Sequence, residues 1–104
     1  MGRRIYDAEF ETSGTDHEHL GRFWWTDSIT GQSGTWSRAE AVSYVGSRPK
    51  GDVFVSENGY TVAVGVWYYT SNPNIKWIQT ESDGQRFDNL TTLAQRRAAG
   101  LVNK

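Results

Sequence analysis

The chain contains no cysteine. That excludes disulfide staples, Cys-ligated zinc and thiol catalysis, and it suits a reducing cytoplasm. An excess of charge of one sign is also missing: eleven basic and twelve acidic side chains leave a formal charge of −1. A dedicated DNA-binding domain usually shows a strong basic excess, so nucleic acid is not the expected partner. No stretch approaches the ~18 apolar residues of a membrane span, and no apolar run follows Arg3 and Arg4, so neither a membrane anchor nor a signal peptide is expected. Walker loop, nucleophile elbow and dinucleotide fingerprint are all absent, and no cofactor is implied.

Aliphatic content is modest, with 37% hydrophobic residues, but five Trp, five Tyr and four Phe compensate. Each buried aromatic can remove about 150–250 Å² from water. A chain of 104 residues holds one core and one domain.

Periodicity sketches the elements. Tyr6, Ala8 and Phe10 alternate with Asp7, Glu9 and Glu11, which predicts a half-buried strand over 3–12. A second strand over 19–26 places Phe23 and Trp25 towards the core, with Leu20, Arg22 and Trp24 on the other face; apolar groups on both faces suit a strand covered on two sides. Residues 28–35 are polar and contain glycine, and read as a loop. Ser37, followed three residues later by Glu40, forms a capping box that opens an amphipathic helix. Gly46 is placed to end that helix in a left-handed conformation.

Residues 52–56 and 60–69 read as a hairpin about Asn58-Gly59, with Val62, Val64 and Val66 on one face. Residues 75–80 predict a further strand, and Leu90, Leu93, Ala94 and Arg97 lie at helical spacing. The expected fold is α+β. It has an antiparallel five- to six-stranded meander or open barrel-like sheet, one central helix and a short C-terminal helix. The single domain spans 1–104, with its core over 4–93 and a tail over 94–104.

His17-Glu18-His19 is the most suggestive triplet. In an extended segment the two rings share a side, where they could meet a metal, a ligand or backbone acceptors. With only two histidines in the chain, a three-histidine site within one subunit is impossible. The runs Phe23-Trp24-Trp25 and Trp67-Tyr68-Tyr69 place at least one ring each outside the main core. Trp24, Trp67 and Tyr69 are therefore candidates for an interface. Asp83-Gly84 and Asp88-Asn89 fit turn and cap chemistry as well as a polar site.

Several of these segments in order resemble a family of small bacterial and phage domains known as domain of unknown function 3892. They are His17-Glu18-His19-Leu20, Phe23 with Trp25, Trp36-Ser37-Arg38-Ala39-Glu40, Val64-Gly65-Val66, Lys76-Trp77-Ile78-Gln79-Thr80, Asp83-Gly84 and Asp88-Asn89-Leu90. The resemblance covers residues 4–93. It implies a bacterial or bacteriophage source and a compact domain whose polar positions include His17, His19, Asp83, Asp88 and Asn89. It brings no established activity. The chain departs from the pattern at Phe87 and after Leu93.

The expected function is a non-enzymatic binding module of phage or bacterial origin, acting in the bacterial cytoplasm on a protein partner: a host protein or a second copy of itself. The alternative is a small-ligand or nucleotide site formed by His17, His19, Asp83, Asp88 and Asn89 around a Trp25 platform. A third reading, a metal-dependent hydrolase on the histidine pair, needs a third ligand from elsewhere.

Overall fold

The computed structural model describes residues 2–11, 19–57, 60–80 and 90–100. In chain order they form β1 (Arg3–Phe10), β2 (Leu20–Asp27), β3 (Ser33–Ser37), α1 (Arg38–Gly46), β4 (Val53–Glu57), β5 (Tyr60–Tyr68), β6 (Lys76–Thr80) and α2 (Leu90–Ala98). The expected α+β class and both helices are present.

The strands make one open six-stranded sheet in the order β3-β2-β1-β4-β5-β6. It is mixed rather than antiparallel, because β1 and β4 run parallel at its centre, with Arg3 opposite Val53 and Arg4 opposite Phe54. The single meander expected from the short turns is therefore two three-stranded meanders side by side. The reason lies in α1. It carries the chain back from the outer strand β3 to the middle of the sheet, so β4 enters beside β1 in the same direction. Three antiparallel strands and a helix thus occur twice in succession, a repetition of topology that the sequence does not display.

α1 packs against β2 and β3 on one side and against β5 and β6 on the other. Six strands spaced ~4.8 Å apart span about 24 Å, more than twice a helix diameter. One helix reaches both outer pairs only because the sheet curls around it. The concave side holds Ile5, Phe23, Trp25, Trp36, Val53, Val55, Val64 and Ile78, all buried in one cluster with Ala41 and Val45 of α1. α2 packs on β1. Its Arg97 reaches Asp7, which pairs with Trp24 in the register, and Trp24 faces away from Trp25. Hence α2 lies on the convex side.

Two register shifts change the faces that simple alternation assigns. Between Ile5 and Asp7 a bulge turns Asp7 to the convex side, where it is buried under α2 instead of facing solvent. The second shift lies between Glu9 and Phe10 and leaves Gly21 without an opposite residue, since Glu9 faces Arg22 and Phe10 faces Leu20. A Cβ on Gly21 would sit 2.4 Å from Glu11 Cβ, so the close approach requires glycine there. This shift buries Leu20, which strict alternation had placed away from the core.

The segment expected as a loop at 28–35 is a turn followed by the start of β3. Asp27 Oδ1 accepts from the amides of Ile29 at 2.9 Å and Thr30 at 3.2 Å. Those backbone bonds, Thr30 first, hold the Asp27 carboxyl below its ordinary pKa. The next glycine on β3, Gly34, lies opposite Trp25, and a Cβ there would come within 3.0 Å of the indole. The missing side chain lets the ring lie flat along the edge strand.

The capping box on α1 forms as expected. Glu40 N donates to Ser37 Oγ at 3.2 Å, and Ser37 N donates to Glu40 Oε1 at 2.8 Å. Gly46 does not take a left-handed conformation. It is the last helical residue, and the chain leaves through Ser47 at φ −95°, whose hydroxyl and amide both donate to Tyr44 O. The Asn58-Gly59 turn of the β4–β5 hairpin lies outside the described residues. Its strands pair antiparallel as expected. Among the described residues no helix is long and apolar enough to cross a membrane.

Candidate functional site

The aromatic residues divide into two groups with different surroundings. In the first, the indoles of Trp25 and Trp36 stack at 5.5 Å with a 28° tilt, and Tyr44 of α1 continues the stack at 4.8 Å from Trp36. The Arg3 guanidinium lies 3.8 Å from the Trp25 ring centre and 4.6 Å from that of Tyr44. Cation–π attraction of this kind strengthens where the charge is partly desolvated. It joins the first residue of β1 to the helix across the concave face. Arg3 Nε and Trp25 Nε1 are buried here without a hydrogen-bond partner.

Trp24, on the convex side, is half-buried beneath Arg97 at 4.0 Å. The same guanidinium pairs with Asp7 at 2.5 Å and approaches Glu9 at 3.6 Å. Arg97 is therefore shared between an ion pair and a ring, and fixes the last turn of α2 to the sheet.

The second group occupies the β5–β6 hairpin. Trp67 and Trp77 are cross-strand neighbours, and Tyr69 tilts against Trp77 with ring centres 4.9 Å apart. Trp77 is buried, and its Nε1 donates to Gln79 Oε1 at 2.8 Å. Trp67 is 40% exposed, Tyr68 54%, Tyr69 38% and Ile75 44%. Only Ile29 elsewhere is a comparably exposed large apolar residue among those described. Among the described residues no further strand pairs beyond β6, which is an outer strand of the sheet.

The residues singled out from the sequence separate accordingly. Trp67 and Tyr69 come together as an exposed surface, whereas Trp24 lies under Arg97, away from the hairpin. Trp25, considered as a ligand platform, is part of the buried stack. His19 immediately precedes β2 and is half-buried, with Nδ1 buried and unpartnered among the described residues and its carbonyl accepting from Glu11 N at 2.8 Å. His17, Asp83, Asp88 and Asn89 lie outside the described residues. Among the described residues no three His, Asp or Glu side chains gather to hold a metal.

Tyr68, Ile75 and Trp77 were not singled out, although a signal for them exists. Residues 58–75 contain no Asp, Glu, Lys or Arg, in a chain where 22% of residues are charged. An 18-residue charge-free segment carrying three adjacent aromatics marks a surface that avoids charge. The chain matches no protein-family model, no curated protein and no solved structure.

Proposed function

We propose that the protein is a non-enzymatic interaction module that pairs with a second copy of itself through the β5–β6 hairpin. The observation that carries this reading is that Trp67 and Tyr69, both exposed and on the same face of the hairpin, sit in a segment free of charge. Interface centres are enriched in Trp and Tyr and depleted of Lys, Glu and Asp. Clustered apolar exposure on a small domain marks an interaction site.

Self-pairing is favoured over a charged partner for a physical reason. A two-fold contact places the same patch on both sides. A patch with charge of one sign would repel its own copy, but the Trp67 face does not, because Lys76 pairs with Tyr68 on the opposite face of the hairpin. Among the described residues no strand pairs with the outer edge of β6, and a second β6 can add there antiparallel.

Sedimentation velocity or native mass spectrometry of the wild-type protein, across a micromolar concentration series, tests it. The wild type should sediment as a dimer and Trp67→Lys as a folded monomer with an unchanged circular-dichroism spectrum. A wild type that stays monomeric at the highest concentration would overturn self-pairing. So would a dimer that Trp67→Lys leaves intact.

A further inference from the structure

We propose that the cleft between the first turns of α1 and the β5–β6 turn binds a small organic monoanion, a carboxylate with an apolar body. The cleft has a volume of about 440 Å³ and is lined by Arg38, Val42 and Ser43 from the helix and by Asn74, Ile75 and Lys76 from the turn and the start of β6. That size lies in the lower part of the ~300–1,000 Å³ range of ligand pockets, and suits a molecule smaller than a nucleotide.

The lining chooses the ligand class. Val42 and Ile75 supply apolar walls, and the cleft explains why Ile75 is left 44% exposed on a small domain. The polar lining is rich in donors: a guanidinium, an ammonium, a hydroxyl and a carboxamide. An ionised carboxylate only accepts hydrogen bonds and offers about four lone-pair sites, so it complements this set better than a neutral amide or alcohol.

Charge limits the ligand to one negative unit. Arg38 already holds Glu11 at 2.8 Å, so its charge is partly compensated. Lys76, by contrast, has no ion pair or side-chain hydrogen bond among the described residues, and neither Ser43 nor Asn74 has a side-chain partner there. Among the described residues no acid lines the cleft. One uncompensated ammonium matches a monocarboxylate; a di- or triphosphate would need more cations. The helix N-terminus is not counted, because Ser37 and Glu40 already cap it.

The site is independent of self-pairing, although Ile75 borders both surfaces. It is therefore tested on two ¹⁵N-labelled proteins, the wild type and the Trp67→Lys variant. The probes are phenylacetate and hexanoate, with phenylacetamide and hexanamide as neutral isosteres. Amide shifts should localise to residues 38–43 and 74–76 in both proteins. The acids should bind about tenfold tighter than the amides, and Lys76→Met should remove about that factor. Ser43→Trp, which fills the cleft, should abolish the shifts while the remainder of the spectrum stays folded. Equal affinity for acid and amide would overturn the proposal, as would shifts spread over the surface or binding undiminished in Lys76→Met. Inorganic phosphate competing as well as the carboxylates would overturn the apolar part of the assignment.

Discussion

In the β1–β3 half of the sheet an arginine lies over each tryptophan, whereas none covers the tryptophans of the β5–β6 hairpin among the described residues. Arg3 covers Trp25 at 3.8 Å and approaches Trp36 at 5.8 Å, and Arg97 covers Trp24 at 4.0 Å. Both arginines come from distant points of the chain, one at its start and one in α2. The rings they cover are therefore where the fold closes on itself. On the hairpin, Trp67 and Trp77 are cross-strand neighbours, and Trp67 is 40% exposed. Comparable aromatic content thus serves cohesion on one side and leaves a contact surface on the other. Whether a guanidinium covers the ring separates the two uses.

Truncating one ring from each half gives the largest expected effect. Trp25→Ala should cost about 3–5 kcal/mol, because it opens a cavity between Ile5, Trp36 and α1 and removes the base on which Arg3 rests. Trp67→Ala should change monomer stability by less than about 1 kcal/mol, as for an exposed substitution. Urea unfolding of the two variants at low protein concentration measures both. Comparable losses would erase the distinction between covered and open rings.

The arginine latch comes next. Asp7 is 7% exposed, and the partners of its carboxylate include the Ala8 amide at 2.9 Å and the Arg97 guanidinium. Arg97→Ala removes the guanidinium that pairs with that carboxylate beneath α2. The pair lies between a surface bridge and a fully buried one, so a loss of about 1–3 kcal/mol is expected. A double-mutant cycle with Asp7→Ala should show coupling of about 1 kcal/mol or more. Glu9→Ala should change little, since Glu9 is exposed and 3.6 Å from the guanidinium. Additive losses for Asp7 and Arg97 would mean that α2 is held by Leu90, Leu93 and Ala94 alone.

Much of this architecture was legible, and the parts that were not share a cause. Local rules placed the capping box at Ser37 and Glu40, the alternating valines of β5 and the stripe of α2, because each depends on residues within a few positions. Register does not. The shifts at Tyr6 and Gly21 follow from how β1 and β2 fit against each other, so Asp7 and Leu20 were assigned to the wrong faces. The parallel β1–β4 pair depends on where α1 returns the chain, which no local pattern contains. β3 resembles a loop by composition, because it is a short edge strand of Ser, Gly and Thr. At the functional level Trp67 and Tyr69 were legible from adjacency. The cleft was not, since Ser43 and Lys76 meet only through tertiary packing. Arg97 read only as part of a helical stripe, without a hint that it would bridge Asp7 and Trp24.

The smallest effects belong to the cap of α1, the element that touches both halves. Ser37→Ala removes the oxygen that accepts from Glu40 N and should cost about 1 kcal/mol. Glu40 adds a part that depends on pH. Its carboxyl is held below the ordinary glutamate pKa, first by the Ser37 amide and then by the Ser37 hydroxyl. A depressed folded-state pKa contributes stability that is fully present above the unfolded value. That contribution is lost as pH falls through the lowered one. Glu40→Gln should therefore destabilise the protein near neutrality and converge with the wild type in acid. In Ser37→Ala the amide remains, so the Glu40 titration, followed by carboxyl ¹³C NMR, should move only part of the way back. A complete return to the ordinary value would assign the depression to the hydroxyl and show that the reciprocal backbone bond at 2.8 Å does little to hold the charge.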